Sequence, residues 1–332
     1  MAEYKGVMVH CEAEDGKLAG IAAELLGYGR KLADELQQPL SAVLIGSDIS
    51  NLSKDVIAYG ADKVYVVDNP LLKDYQTDTY VPAMEKVVEQ ATPEILLLGQ
   101  TATGRDLAPR LAFRLNTAAT LDCVELAIDA DSKRLLQTKP VYGGNAQAIY
   151  TCDSNPQVAS VRAKVSEAMQ PDSSRQGEVI NVDAGIDESV VRTKVLEKVS
   201  EEVEGIKLED AEVIVCGGRG IGSAEGFDQL KELATAMGGA VGASRPPCDN
   251  GWLSDSLQIG LTGKIIAPAL YIAVAVSGSS QHMSGCSGSK NIVAINKDPE
   301  ANIFKAAHYG VVGDWKQILP AFETKIKELL AK

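Results

Sequence analysis

Toward the C-terminus, successive apolar runs and helix starts give way to residues able to hold a polar ligand. Residues 212–217 lead into Gly217-Gly-Arg-Gly-Ile-Gly222, a glycine-rich turn that carries Arg219. Residues 240–243 lead into Ser244-Arg-Pro-Pro, where two prolines fix the backbone behind Arg245 and forbid a continuing strand. A short polar loop, Gln258-Ile-Gly-Leu-Thr-Gly263, follows. The apolar run 270–276 empties into Ser277-Gly-Ser-Ser-Gln-His282, with one of only three histidines in the chain. Residues 291–296 end in Asn296-Lys-Asp-Pro299, and Asp314 stands at the N-cap position of a closing helix. These ends together offer hydroxyls, amides, an imidazole, two guanidiniums and a carboxylate. Free backbone N–H groups beside an arginine suit a pyrophosphate, and the whole set suits a large, flat, polar-edged cofactor. The 217–222 turn is not the dinucleotide fingerprint, because Arg219 stands where that motif needs its second glycine.

Other chemistries find little support. There is no G-x-S-x-G elbow and no ordering of His, Asp and Ser that asks for a hydrolytic triad. The six cysteines are scattered without C-x-x-C spacing, so neither a zinc knuckle nor a cluster-binding run is encoded. Cys11 and Cys216 end apolar strands and read as buried free thiols, as do Cys248 and Cys286. A net charge of −13 opposes nucleic acid or an anionic membrane as a partner. No run of about 18 apolar residues is present, and the N-terminus lacks a signal-peptide layout, so no membrane span and a cytoplasmic location are expected.

The elements that must position these residues follow from the hydrophobic pattern. With 332 residues, 45% hydrophobic and only four Phe and two Trp, the chain is long enough for two domains with aliphatic cores. In the first half, runs at 6–11, 42–46, 63–68 and 95–99 alternate with helical segments near 18–36, 51–59, 78–90 and 104–115. Such runs, apolar throughout and separated by helices, describe a parallel sheet covered on both faces. Shorter, partly antiparallel strands between 120 and 165 complete that sheet around a Gly143-Gly144 turn. A mixed-charge stretch at 187–205, without an apolar run, reads as the linker. Alternation then restarts, with strands at 212–217, 240–243, 270–276 and 291–296, a helix at 223–237 and a last one from about 315 to 330. The expected fold class is α/β: residues 1–205 as a parallel-sheet, nucleotide-binding-like domain, and 206–332 as a doubly wound domain. In such sheets ligands bind beyond the carboxyl ends of the strands, where glycine-rich loops can approach them closely.

On several of these stretches the sequence resembles the alpha subunit of electron transfer flavoprotein. The carrying residues are Gly218-Arg-Gly, Gly242-Ala-Ser-Arg-Pro, Thr262-Gly-Lys-Ile-Ile-Ala-Pro268, Leu270-Tyr-Ile-Ala-Val, Ser277 to His282, and Ile292-Val-Ala-Ile-Asn-Lys-Asp-Pro-Glu300. The likeness runs on through Ile303-Phe and Tyr309-Gly, covers nearly all of 212–332, and reaches more loosely to Thr101-Ala-Thr-Gly-Arg-Asp106 and Leu121-Asp. The resemblance implies that the second domain binds FAD and that a beta subunit completes a heterodimer against the first domain. It also implies that the second domain swings on its linker. By the same likeness Ser277, Gly278, Ser279, Ser280 and Gln281 would hold the cofactor, and Ile259, Gly260 and Leu261 would lie along it. His282 would approach the flavin's C2 carbonyl region, Arg245 would lie against the isoalloxazine, and Thr262 would bond near N5. Arg219, Ser244, Asn296, Asp314 and Trp315 would serve the phosphate, ribose or adenine end. Because one-electron reduction places negative charge on the N1–C2 carbonyl edge, a cation such as Arg245 and a donor such as His282 would raise the potential. Three departures from the usual family pattern bear on that potential: Leu261 for Gln, Cys248 for an aliphatic residue, and Met283-Ser-Gly-Cys286 for Leu-Ala-Gly-Met.

The implied function is an electron carrier that accepts electrons from an acyl-CoA dehydrogenase or similar flavoprotein dehydrogenase. It would pass them to a quinone reductase, a ferredoxin or flavodoxin, or another acceptor. One alternative is a subunit of an NADH-dependent electron-bifurcating complex. Two others are a nucleotide-dependent enzyme using the 101–106 loop with Asp106 and Asp122, and a flavin-free interaction subunit that kept the fold.

Overall fold

A computed structural model describes residues 3–14, 16–144, 146–193, 195–197 and 205–330. The chain divides into two compact units, Met1–Pro140 with Gln147–Val199, and Val141–Ala146 with Ser200–Lys332. Of the charged 187–205 stretch, residues 194 and 198–204 lie outside the described residues.

The first unit is built on a seven-stranded parallel sheet. Its order is Glu178–Asn181, Lys63–Asp68, Leu40–Gly46, Val7–Cys11, Ile95–Gly99, Gln157–Val161 and Ala119–Cys123. Val7–Cys11, Ile95–Gly99 and Gln157–Val161 are buried along their whole length because the sheet carries a core on each face. One core gathers Val7, Val9, Leu25, Leu44 and Leu97, and the other Met8, Val43, Met84, Leu96 and Leu111. The antiparallel strands expected to complete this sheet do not join it. Glu125–Ile128, Leu135–Val141 and Ala146–Tyr150 form a separate three-stranded sheet, and the main sheet takes Ala119–Cys123 and Gln157–Val161 in parallel register. The 119–128 stretch is two strands in different sheets, parted at Val124 just after Asp122 turns to a φ of 65°.

The second unit holds a five-stranded parallel sheet in the order Ala240–Ala243, Val213–Gly217, Leu270–Val274, Asn291–Asn296, Tyr309–Val312. Numbered along the chain this is 2-1-3-4-5, a doubly wound order whose switch point falls between Val213–Gly217 and Leu270–Val274. Apolar clusters again cover both faces, one around Tyr271, Ile214 and Ile303, the other around Phe227, Val215, Ile272 and Trp315. The fifth strand, Tyr309–Val312, lies just before the last helix, in a stretch to which the sequence reading assigns no strand. It is exposed at every position, as an edge strand is, and so lacks the buried run by which its neighbours announce themselves.

Candidate functional site

The carboxyl ends of Val213–Gly217 and Leu270–Val274 part at the switch point and open a cavity of about 720 Å³. Gly218 begins the first loop. Its N–H donates to Val274 O at 2.9 Å, and a Cβ there would overlap the Ala275 carbonyl, so only glycine lets the two loops lie this close. Ala275 ends the third strand with a φ of 54°, a left-handed backbone that non-glycine residues rarely adopt and that concentrates at functional sites.

The cavity gathers most of the residues named from the sequence. Arg219, Ser244, Arg245, Ile259, Gly260, Leu261, Thr262, Ser277, Ser279, Gln281, His282 and Asn296 all line it. They arrive on the loops and helical turns that follow the strands, and Asn296 on the last position of the fourth strand. Ser244 precedes a helical turn, Arg245–Asp249, that begins with the two prolines, and its N–H donates to Gly217 O at 3.0 Å. Arg245 is exposed and pairs with Asp249 one turn on, Nε to Oδ2 3.3 Å. The 258–264 loop runs back beside the second strand through a bridge from Gln258 to Ala243. Gln258 Nε2 donates to Thr262 Oγ1 at 2.9 Å, which leaves the Thr262 hydroxyl proton for another partner. Asn296 uses its amide inside the chain: Nδ2 donates to Val276 O at 2.8 Å, and Oδ1 accepts from Asp298 N–H at 3.0 Å.

Four expected residues fall outside the lining. Gly278 has a φ of 77° and packs so closely on Ile303 that a Cβ would meet its backbone nitrogen. Ser280 is exposed at the start of the Ser280–Cys286 helix. Asp314 caps the last helix, with Oδ1 accepting from Lys316 N–H at 3.0 Å. Trp315 is buried, and its indole N–H donates to Gly220 O at 3.2 Å, so it braces the Arg219 loop from within the core.

His282 sits deeper than the other polar residues of the lining. It lines the cavity, but its ring is 5% exposed, with Nδ1 3.0 Å from Ile259 O and Nε2 2.7 Å from the Tyr271 hydroxyl. A carbonyl oxygen only accepts, so the proton sits on Nδ1 and Nε2 accepts from Tyr271. Burial holds the imidazole neutral by lowering its pKa to about 4, against a smaller upward pull from the Ile259 carbonyl. With Nδ1 donating to Ile259 O and Nε2 accepting from Tyr271, both ring nitrogens are engaged within the chain, whereas the resemblance implies a donor toward the flavin's C2 edge.

The lining also holds residues to which the sequence reading gives no cofactor role of their own, among them Gln258, Lys297, Asp298, Glu300 and Asn302. The last four lie in the loop after the fourth strand, whose Asn296 was the residue noticed. The rule that ligands bind beyond strand ends would have extended the site along that loop. The thiols of Cys248 and Cys286 are buried, which pushes their pKa values up to about 11 and about 12 and keeps them protonated. Among the described residues no cluster of His, Cys, Asp and Glu could hold a metal ion, and no helix is long and apolar enough to cross a membrane.

The donor set fits FAD. Three cations, Arg219, Arg245 and Lys297, face a cavity of cofactor size lined with hydroxyls and amides, and Leu261 and Ile259 add apolar surface for a ring system.

Comparison with known proteins gives concordant results. Residues 7–187 match the electron transfer flavoprotein domain, and residues 207–287 match the electron transfer flavoprotein FAD-binding domain. The electron transfer flavoprotein subunit alpha of Thermoanaerobacterium thermosaccharolyticum is 49% identical over 330 residues, covering 99% of this chain and 100% of the relative. That of Megasphaera elsdenii is 44% identical over 331 residues, 99% of this chain and 98% of the relative. Protein FixB of Clostridium saccharobutylicum is 42% identical over 332 residues, 100% of this chain and 99% of the relative.

Proposed function

Since the chain belongs to the family of electron transfer flavoprotein alpha subunits, we propose that the switch-point cavity of its second unit is where that family's FAD sits. The chain is an electron transfer flavoprotein alpha subunit, FAD is its cofactor, and membership implies a beta-subunit partner. When bound, FAD supplies electron transfer between a donor and an acceptor protein.

The carrying observation is that twelve residues named for the cofactor line one cavity, with Arg219 and Arg245 on it. Arg219 at the glycine turn, with Ser244 and Lys297, is placed to meet the pyrophosphate. Arg245 and Thr262 are assigned to the isoalloxazine. A guanidinium beside the ring lowers the free energy of added negative charge and raises the potential. The Thr262 hydroxyl, accepting from Gln258, has its own proton to donate. Ser277, Ser279 and Gln281 add polar contacts along the third strand's loop, and Asn296 holds that loop to the fourth strand through Val276 O. The donor is assigned as an acyl-CoA dehydrogenase or similar flavoprotein dehydrogenase, and the acceptor as a quinone reductase or a ferredoxin- or flavodoxin-type carrier.

Co-expression with the beta subunit, followed by absorbance during stepwise anaerobic reduction, tests this reading. The expected result is bound FAD, with flavin lost or its potential lowered in R219A and R245A. A colourless heterodimer that stays colourless after FAD is added back would overturn it. Two flavins per heterodimer, only one of them sensitive to R245A, would favour a bifurcating complex.

A further inference from the structure

The strongest unassigned arrangement lies directly behind the cavity. Tyr271 is fully buried in the third strand, and its hydroxyl is flanked by the thiols of Cys216 and Cys286 as well as the His282 ring. A buried phenol needs a partner, and the 2.7 Å contact to His282 Nε2 supplies an acceptor. On its other side the imidazole reaches the Ile259 carbonyl, 23 residues away in sequence. The loop that starts at Ile259 rests on the Ser280–Cys286 helix at further points. Leu261 N–H donates to Gln281 O at 2.8 Å, and Ile266 N–H donates to Gly285 O at 2.8 Å. A Cβ on Gly285 would come within 2.5 Å of the Gly260 backbone. Loop and helix are thus in backbone contact, and the His282 ring is the side chain that joins them.

We propose that Tyr271 and His282 are positioning residues for the flavin site: the tyrosine hydroxyl donates to Nε2 and holds the ring in place, and the Nδ1–H that the Ile259 carbonyl requires holds that carbonyl, and with it the Gly260-Leu261-Thr262 turn, at the cavity wall. The inference rests on the reading of this cavity as the FAD site. It assigns His282 a role set by the nitrogen that faces the protein. Nδ1 holds the Ile259 carbonyl, and Nε2 anchors the ring to the third strand through Tyr271. Without the Tyr271 hydroxyl, Nε2 loses its buried donor, the ring is no longer held against the third strand, and its hold on the Ile259 carbonyl weakens.

The test uses the full heterodimer with ¹⁵N-histidine labelling, which is tractable because the chain has three histidines. In the wild type the His282 resonances should show a protonated Nδ1 and an acceptor Nε2, both shifting in Y271F. The FAD dissociation constant should rise roughly tenfold in Y271F and in H282A, the scale of one buried hydrogen bond. H282N, whose amide nitrogen sits near the Nδ1 position, should recover most of that loss, whereas H282Q, reaching toward Nε2, should not. The inference is overturned by a wild-type proton on Nε2, or by H282Q binding FAD as the wild type does while H282N binds it poorly. If Y271F fails to fold, the wild-type spectrum and the Asn and Gln pair still decide. A wild-type heterodimer that binds no FAD overturns the site reading and this inference with it. One that binds FAD with the proton on Nε2 overturns the inference alone.

Discussion

Thr101 Oγ1 donates to Glu12 Oε1 at 2.7 Å, which sets a carboxyl group over the carboxyl ends of Val7–Cys11 and Ile95–Gly99 in the first unit. These two strands flank that sheet's own switch point, where a doubly wound fold would receive a ligand. The same Thr101 side chain accepts from Gly104 N–H at 3.0 Å and caps the Ala102–Arg114 helix. Gly104 lies so close to Gly99 that a Cβ would overlap its carbonyl. The 101–106 stretch that reads as an anion loop is a helix cap with a close helix–strand contact, facing an acid. The two carboxylates considered for catalysis there are engaged as well. Asp106 accepts from Tyr75, Thr77 and Arg110, and Asp122 pairs with both Nε and Nη2 of Arg162. This geometry disfavours the nucleotide-dependent enzyme.

Burial raises the Glu12 pKa to about 7, outweighing the Thr101 hydrogen bond. Its folded value lies above the unfolded one, so its contribution is present below about pH 4.5 and is lost as pH rises through 7. E12Q should therefore match the wild type near pH 4.5 and exceed it near pH 8 by about 3 kcal/mol. Urea titrations at the two pH values check this, and an equal difference at both would refute it.

His10 titrates with the opposite sign. Burial lowers its pKa to about 4, and among the described residues its Nδ1 has no hydrogen-bond partner. With the folded value below the unfolded one, stability is whole above about pH 6.5 and is lost as pH falls toward 4. H10L removes both this proton linkage and a buried unpaired nitrogen. It should stabilise the protein by about 1–3 kcal/mol at pH 5, and by less at pH 7.5. Denaturant midpoints at both pH values measure the slope; a stabilisation that does not grow on acidification would count against the assignment.

Gly218 meets the Ala275 carbonyl across the switch point. G218A must push the two loops apart, and it should destabilise the second unit by about 1–3 kcal/mol and lower FAD occupancy. Thermal melting together with the flavin-to-protein absorbance ratio reports both. Wild-type occupancy in G218A would show that this close approach does not shape the cavity.

Arg245 separates stability from redox behaviour. Its pair with Asp249 is exposed on both sides and contributes at most about 1 kcal/mol. R245A should keep the melting temperature close to the wild-type value while lowering the flavin potential by tens of millivolts, on a scale where about 59 mV is tenfold for one electron. Spectroelectrochemical titration distinguishes this from a purely structural role, in which melting would change and the potential would not.

Much of this molecule is legible in its sequence for a local reason. The runs at 7–11, 95–99, 213–217 and 270–274 are almost wholly apolar, His10 being the exception, because both faces of each sheet are covered. The loops after those strands carry their chemistry in residue type, so Arg219, Arg245, Thr262 and Ser277 can be named from sequence alone. Edge strands such as Glu178–Asn181 and Tyr309–Val312 are not legible, because they are half or fully exposed and share no pattern with the buried ones. Nor does the sequence say which polar groups are already engaged. Asp314 and His282 both look like ligands, yet one caps a helix and the other joins Tyr271 to Ile259. A residue's type sets what it can donate or accept, and only the tertiary structure decides which partner reaches it first.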